Sequence, residues 1–217
     1  MKKILFNDEF MLTQAVIDGR KTQTRRVIKC HKTFKGEWVA GFNIHIRPSD
    51  KKVVGLPCMY DADEREFDGG EILPKYKVGE VVAVAQSYRD CSGWSENGIS
   101  NWQLISKTVG SKNSGWDDKR FVHADFMPHQ IRITNVRIER LQDISDECCL
   151  KEGIIKKWHA PACKNYYYVP GIEVKSVKDV HDTPQEAFAH LINKVSRKDV
   201  WNENPHVFVY DFELVKR

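Results

Sequence analysis

Gly19-Arg20-Lys21-Thr22-Gln23-Thr24-Arg25-Arg26 is the densest basic stretch in this chain of 217 residues. It follows a segment, Phe10 to Gly19, that reads as a short helix. Phe10, Gln14 and Ile17 fall on one side, and Leu12, Ala15 and Val16 widen the apolar surface. Gly19 suits the helix C-cap because glycine tolerates the left-handed backbone found there. The basic residues then form the loop that leaves the helix. Four cations (Arg20, Lys21, Arg25 and Arg26) within seven positions repel one another. Repulsion favours the neutral form of a lysine, whereas arginine cannot relieve it by losing a proton. A lysine tuned this way serves as a general base toward the Thr24 hydroxyl or a held water. Arg20, Arg25 and Arg26 are placed to grip a phosphate or a polar base. Charge pattern alone favours the simpler reading, a solvated basic turn after a helix.

Outward from this stretch, strand-like segments interleave with few helices. Trp38 to Ile46 and Lys51 to Val54 read as strands around a turn at Pro48, and residues 61–73 as an acidic, Gly-rich loop. Val81 to Gln86 is a nearly continuous apolar run that fits a buried strand. Gln130 to Leu141 is a further strand, with a phase change near Asn135 that predicts a bulge. Ser145-Asp146-Glu147 carries an N-cap and first-turn acids, starting a helix that runs through Glu152 to Gly153. Thr183-Pro184 starts another, with Phe188, Leu191, Ile192 and Val195 as its apolar face. His206 to Leu214 reads as the closing strand. Without a regular βαβ rhythm, this order predicts an α+β fold. One domain spans residues 1–217, with insertions at about 90–125 and 155–182.

Composition narrows the class. Hydrophobic residues make up 41% of the chain, enough for a packed core. The net charge of +4 permits a nucleic-acid partner without requiring one. No apolar run approaches the roughly 20 residues of a membrane span. Met1-Lys2-Lys3 is followed by too short an apolar stretch for a signal peptide, so a cytoplasmic protein is expected. The six cysteines include no CxxC pair and read as free thiols, and no metal or cofactor is expected. His159-x-x-x-Cys163 with Cys30 and His31 would be the only metal alternative.

Four blocks in order resemble the ASCH family, in particular its larger members from bacteria and their phages. They are Gly19-x-Lys21-x-x-Thr24-x-Arg26; Tyr76-x-Val78-Gly79-Glu80 before the valine-rich strand; Arg137-x-Glu139-Arg140-Leu141 through Ser145 with Glu152-Gly153-Ile154; and Trp201-x-x-Asn204-Pro205 through Phe212. The resemblance implies a PUA-like β-barrel with flanking helices and a cleft beside the Lys21 loop. It also implies RNA or a modified nucleoside as partner. One small bacterial branch resembles an amidohydrolase of N4-acetylcytidine, whose lysine, threonine and glutamate fall by motif position on Lys21, Thr24 and Glu152. In that role Lys21 accepts a proton from Thr24 or from water, Glu152 positions Lys21, and Arg26 or backbone N–H groups face the oxyanion. Alternatively Glu152 simply ties its helix to the basic loop. A ribonuclease, an RNA-binding module without chemistry and a protein-interaction module remain as other readings.

Further residues carry two readings each. Glu80 either contacts ligand or is a strand-edge charge. Tyr88, Trp94 and Trp102 either stack on bases or pack beneath the insertion. His123 and His129 are candidates for phosphate binding or acid chemistry. Tyr166-Tyr167-Tyr168 is either a stacking platform or a strand, and Trp201 and Phe208 read as core.

Overall fold

The computed structural model describes residues 1–92, 95–96, 99–100, 114–176 and 179–215. Trp94 and Trp102 lie outside those residues. The strands in chain order are β1 (Lys3–Ile4), β2 (Gln23–Val27), β3 (Thr33–Phe34), β4 (Glu37–Trp38), β5 (Gly41–Asn43), β6 (Cys58–Tyr60) and β7 (Glu66–Glu71), then β8 (Val81–Val84), β9 (Ser95–Glu96), β10 (Ile99–Ser100), β11 (Gln130–Arg140), β12 (Ile155–His159), β13 (Lys164–Tyr168) and β14 (His206–Val215). The helices are α1 (Leu12–Ile17), α2 (Tyr88–Ser92), α3 (Asp146–Lys151), α4 (Pro184–Ser196) and α5 (Val200–Glu203).

The α+β class holds, but the expected closed barrel does not. The main sheet runs β1-β8-β11-β14-β2 and stops at β1 on one edge and β2 on the other. Its spine is the long antiparallel pair β11–β14, in register from Gln130↔Val215 to Arg140↔His206. The physical reason for the opening lies at the two edges. β1 has only two residues, paired in parallel with β8. Where a ladder would close the sheet, the Arg26 side chain reaches across instead, and Nη2 donates to the Leu5 carbonyl at 2.6 Å. A cavity lies between the edges, lined by Leu5, Arg26, Ile28, Tyr76, Phe208 and Tyr210 among others.

The apolar run of β8 is buried on both faces, as its composition predicts. Val82 and Val84 enter the main core with Ile131, Ile133, Val207 and Val209, while Ala83 and Ala85 enter a satellite core with Tyr88, Cys91, Val122 and Met127. The bulge near Asn135 appears as a register shift between Ile133 and Asn135. Ser145 caps α3 by accepting from the Cys148 N–H at 3.3 Å, and Thr183 caps α4 by accepting from the Glu186 N–H at 3.2 Å.

Other expectations are corrected. The acidic loop at 61–73 contains β7, which pairs with β6 in the three-stranded sheet β5-β6-β7. Asp61 makes the connecting turn, its carboxylate accepting from the N–H groups of Asp63 and Arg65. The strand read over Trp38 to Ile46 is split into β4, β5 and a single bridge, Ile46↔Val53. Among the described residues no helix is long and apolar enough to cross a membrane.

Candidate functional site

The basic stretch read as a loop is mostly strand. Gly19 adopts φ +73°, and the chain turns so that the Lys21 N–H donates to the Ala15 carbonyl at 2.9 Å. From Gln23 onward it pairs with β14, Thr24 facing Tyr210 and Arg25 facing Val209. The Thr22 N–H donates to the Lys151 carbonyl at 3.0 Å, tying this start of β2 to the end of α3.

That junction brings Lys21 and Glu152 together. Both are buried, at 2% and 4% exposure. Lys21 Nζ donates to Glu152 Oε2 at 2.6 Å and to the Glu152 carbonyl at 2.7 Å. Glu152 is the C-cap of α3, which ends at Lys151, one residue short of the helix read from sequence through Glu152. Gly153 follows with φ +109°, and a Cβ there would stand 3.3 Å from Leu12 Cδ2 and 3.8 Å from Lys21 Cδ. The backbone angle favours glycine here, and a Cβ would also press on the end of the Leu12 side chain.

Arg25 shares the same carboxylate. Its Nη1 donates to Glu152 Oε1 at 3.0 Å and to Gln23 Oε1 at 2.6 Å, while Nε and Nη2 donate to Glu139 Oε1 at 3.1 and 2.5 Å. Beyond Glu139, Arg137 bonds Glu139 and Asp211, and Gln23 Nε2 donates to Asp211. Three cations (Lys21, Arg25, Arg137) thus meet three carboxylates (Glu139, Glu152, Asp211) in one connected cluster. Every buried side-chain N or O among the described residues has a partner, which is the condition for keeping charge inside a core.

Burial pushes the Lys21 ammonium below its ordinary value. The Glu152 carboxylate opposes that shift, and the Arg26 and Arg25 charges reinforce it. Burial also works against Arg25, but Glu152 and Glu139 outweigh it and hold the guanidinium above its usual value. Two of the three hydrogen-bonding positions on Lys21 Nζ are taken by Glu152; the nearest ring, Phe6, has its centroid 5.8 Å away.

Thr24 borders the same space. A cavity of about 60 Å³ is lined by Lys21, Thr24, Glu152, Phe6, Leu12 and Phe188, among others. The Thr24 side chain makes no hydrogen bond to Lys21 or Glu152. Leu5 and Arg26 line both this cavity and the one of about 320 Å³ between the sheet edges. The small compartment has room for waters or a small acyl group, since one water needs about 10–15 Å³. The larger one reaches the usual size of small-molecule sites, about 300 Å³ and above.

The remaining sequence candidates separate. Arg26 is exposed and lines both cavities. Arg25 spends four of its five N–H groups on Gln23, Glu139 and Glu152, and its side chain is buried, so it is not presented to a phosphate. Arg20 pairs with Asp18 at 3.0 Å on the surface and lines neither cavity. Glu80 pairs with Lys2 at 3.0 Å and accepts from the Lys77 N–H, a turn role away from Lys21. Tyr88 is 1% exposed in the satellite core, edge-on to Phe126, which removes it from ligand contact. His129 Nδ1 lies 2.8 Å from Gln86 Oε1. Trp201 packs edge-on against Phe188, and Phe208 is core.

Gln23, Arg137, Glu139 and Asp211 were missed as parts of the cluster. Their signal was the polar alternation Gln23, Arg25 in β2 and the Arg137-x-Glu139 pair in β11, which a loop reading of 20–26 concealed. Tyr76 and Tyr210 were missed as cavity walls. Their rings meet edge-on at 5.4 Å, and burial raises the Tyr76 hydroxyl to about 12. The six cysteines are free thiols, and no group of three or more potential metal ligands occurs among the described residues. No family model, curated protein or solved structure matches the chain.

Proposed function

We propose that the protein recognises a modified nucleoside, free or within RNA, and hydrolyses an acyl group from it at Lys21. The observation that carries this reading is a buried lysine, held by both acceptors of one glutamate, beside a threonine hydroxyl that has no bond to either of them. A neutral amine has two N–H groups and one lone pair. Glu152 takes both N–H groups, which leaves the lone pair for a proton. The four sequence blocks similar to the ASCH family support kinship through this site and through RNA-related chemistry, with an open sheet in place of the barrel.

The acyl group occupies the small cavity and the base the larger one, across Leu5 and Arg26. Lys21 accepts a proton from water, directly or through Thr24, and the oxygen attacks the acyl carbon. The tetrahedral oxyanion faces the Arg26 side of the cavity. As the C–N bond breaks, the Lys21 ammonium returns its proton to the departing amine. One water and one amide become a carboxylic acid and an amine. Glu152 is a positioning residue in this scheme: one carboxylate oxygen holds Lys21 and the other is committed to Arg25.

The test is acetate release from N4-acetylcytidine, free and within an oligonucleotide. Wild-type protein is expected to turn over, with Lys21→Ala reducing the rate by at least about 100-fold and Thr24→Val by a smaller factor. Circular dichroism of each variant confirms that it is folded. RNA binding without acetate release would leave recognition standing and remove the chemistry.

A further inference from the structure

The hairpin β12–β13 begins at Ile155, three residues after Glu152, and lies in the segment read from sequence as an insertion at about 155–182. Its register sets Lys157 opposite Tyr166, His159 opposite Lys164 and Ile155 opposite Tyr168. Directly opposed residues share a face, so these six project together. The other face turns inward at Tyr167, whose N–H donates to the His181 carbonyl at 2.9 Å and whose ring packs on the main core.

The outward face encloses a cavity of about 310 Å³ with Ile172, Val174 and Val180. Its walls include Tyr166, Tyr168, His159 and Trp158, and Trp158 is 56% exposed. Tyr166 is held in place: His159 meets it edge-on at 5.6 Å, and Lys164 Nζ stands 4.7 Å from its centroid. Among the described residues no carboxylate lines the cavity. The neighbouring acids are committed elsewhere, Asp182 to Lys164 at 2.7 Å and Glu173 to Lys175 at 2.9 Å. Lys156 and Lys157 are exposed and have no ion-pair partner among the described residues.

We propose that this face of the hairpin binds single-stranded nucleic acid, one base entering the aromatic cavity while an adjacent phosphate meets Lys157. Every base presents a π-face to such walls, and unpaired strands can splay a base out of the stack. An aromatic groove can also take a proline-rich peptide, but the unmatched Lys157 in its lining, with no lining carboxylate among the described residues, favours a polyanion. The proposal stands apart from the Lys21 chemistry, because it concerns binding and different residues.

Fluorescence anisotropy of a short labelled oligouridylate with the full chain tests it. Binding is expected to weaken with added salt, and Lys157→Ala to reduce the log–log salt slope by about 0.7. Trp158→Ala and Tyr166→Ala are each expected to weaken binding about tenfold, with unchanged circular dichroism. Acetate release from free N4-acetylcytidine stays at the wild-type rate in both variants, so each proposal fails or stands separately. Absence of binding, equal affinity in the Trp158→Ala/Tyr166→Ala double variant, or preference for a duplex of the same length would overturn it.

Discussion

At the scale of the residue, Glu152 is the most consequential side chain described. It neutralises two buried cations and caps a helix. Removing one partner of a buried ion pair leaves charge without compensation, at a cost of about 3–5 kcal/mol. Glu152→Ala is expected to lose that much stability, read as the shift in urea midpoint. Arg20→Ala removes only the surface pair with Asp18 and is expected to cost less than about 1 kcal/mol. Equal costs for the two would mean that the buried cluster is not the structural link between α3 and β2. The lowered proton affinity of Lys21 was legible from the crowded cations, but the leading cause is burial, which a charge pattern does not reveal. The sequence run suggested four arginine and lysine groups repelling one another. In the fold each finds an acceptor: Asp18 for Arg20, Glu152 for Lys21, Glu139 and the shared Glu152 for Arg25, and the Leu5 carbonyl for Arg26.

At the scale of the element, the site depends on where α3 stops. Gly153 ends the helix region with φ +109° and lets Leu12 and Lys21 approach. Gly153→Ala is expected to destabilise by at least about 1 kcal/mol and to lower acetate release by shifting Glu152 against Lys21. Thr183→Ala, which removes the cap of α4, gives the comparison: a loss of about 1 kcal/mol in stability with turnover unchanged. Loss of turnover in both variants alike would show that the effect is global. Caps and strands with local signals were readable: Ser145, Thr183-Pro184, the run of β8 and the bulge at Asn135. β7 was not, because Gly69-Gly70 and its acids lack strand character and its order comes from pairing with β6. β2 was hidden for the same kind of reason, since its partner β14 lies at the far end of the chain.

At the scale of the whole molecule, the sheet remains open, and the opening leaves a cavity between its edges. A local pattern specifies strands but not whether the first and last edges meet, so the barrel expected by resemblance had no support in residue spacing itself. The gap between β1 and β2 holds the larger cavity, and Arg26 separates it from the Lys21 compartment. In the proposed reaction, recognition falls to one side of this division and proton transfer to the other. The reactive form in the proposed reaction is the neutral Lys21 amine, which is populated above its pKa. Because that pKa is lowered from 10.5, the neutral fraction grows as pH rises and saturates before the ordinary lysine range. The decisive measurement is the pH dependence of kcat/KM for acetate release from N4-acetylcytidine. It should climb with pH to a plateau through a pKa below 10.5, and Lys21→Arg, which cannot give up its proton, should lose the activity. A rate that falls with rising pH, or an arginine variant as active as wild type, would contradict a buried amine acting as the base.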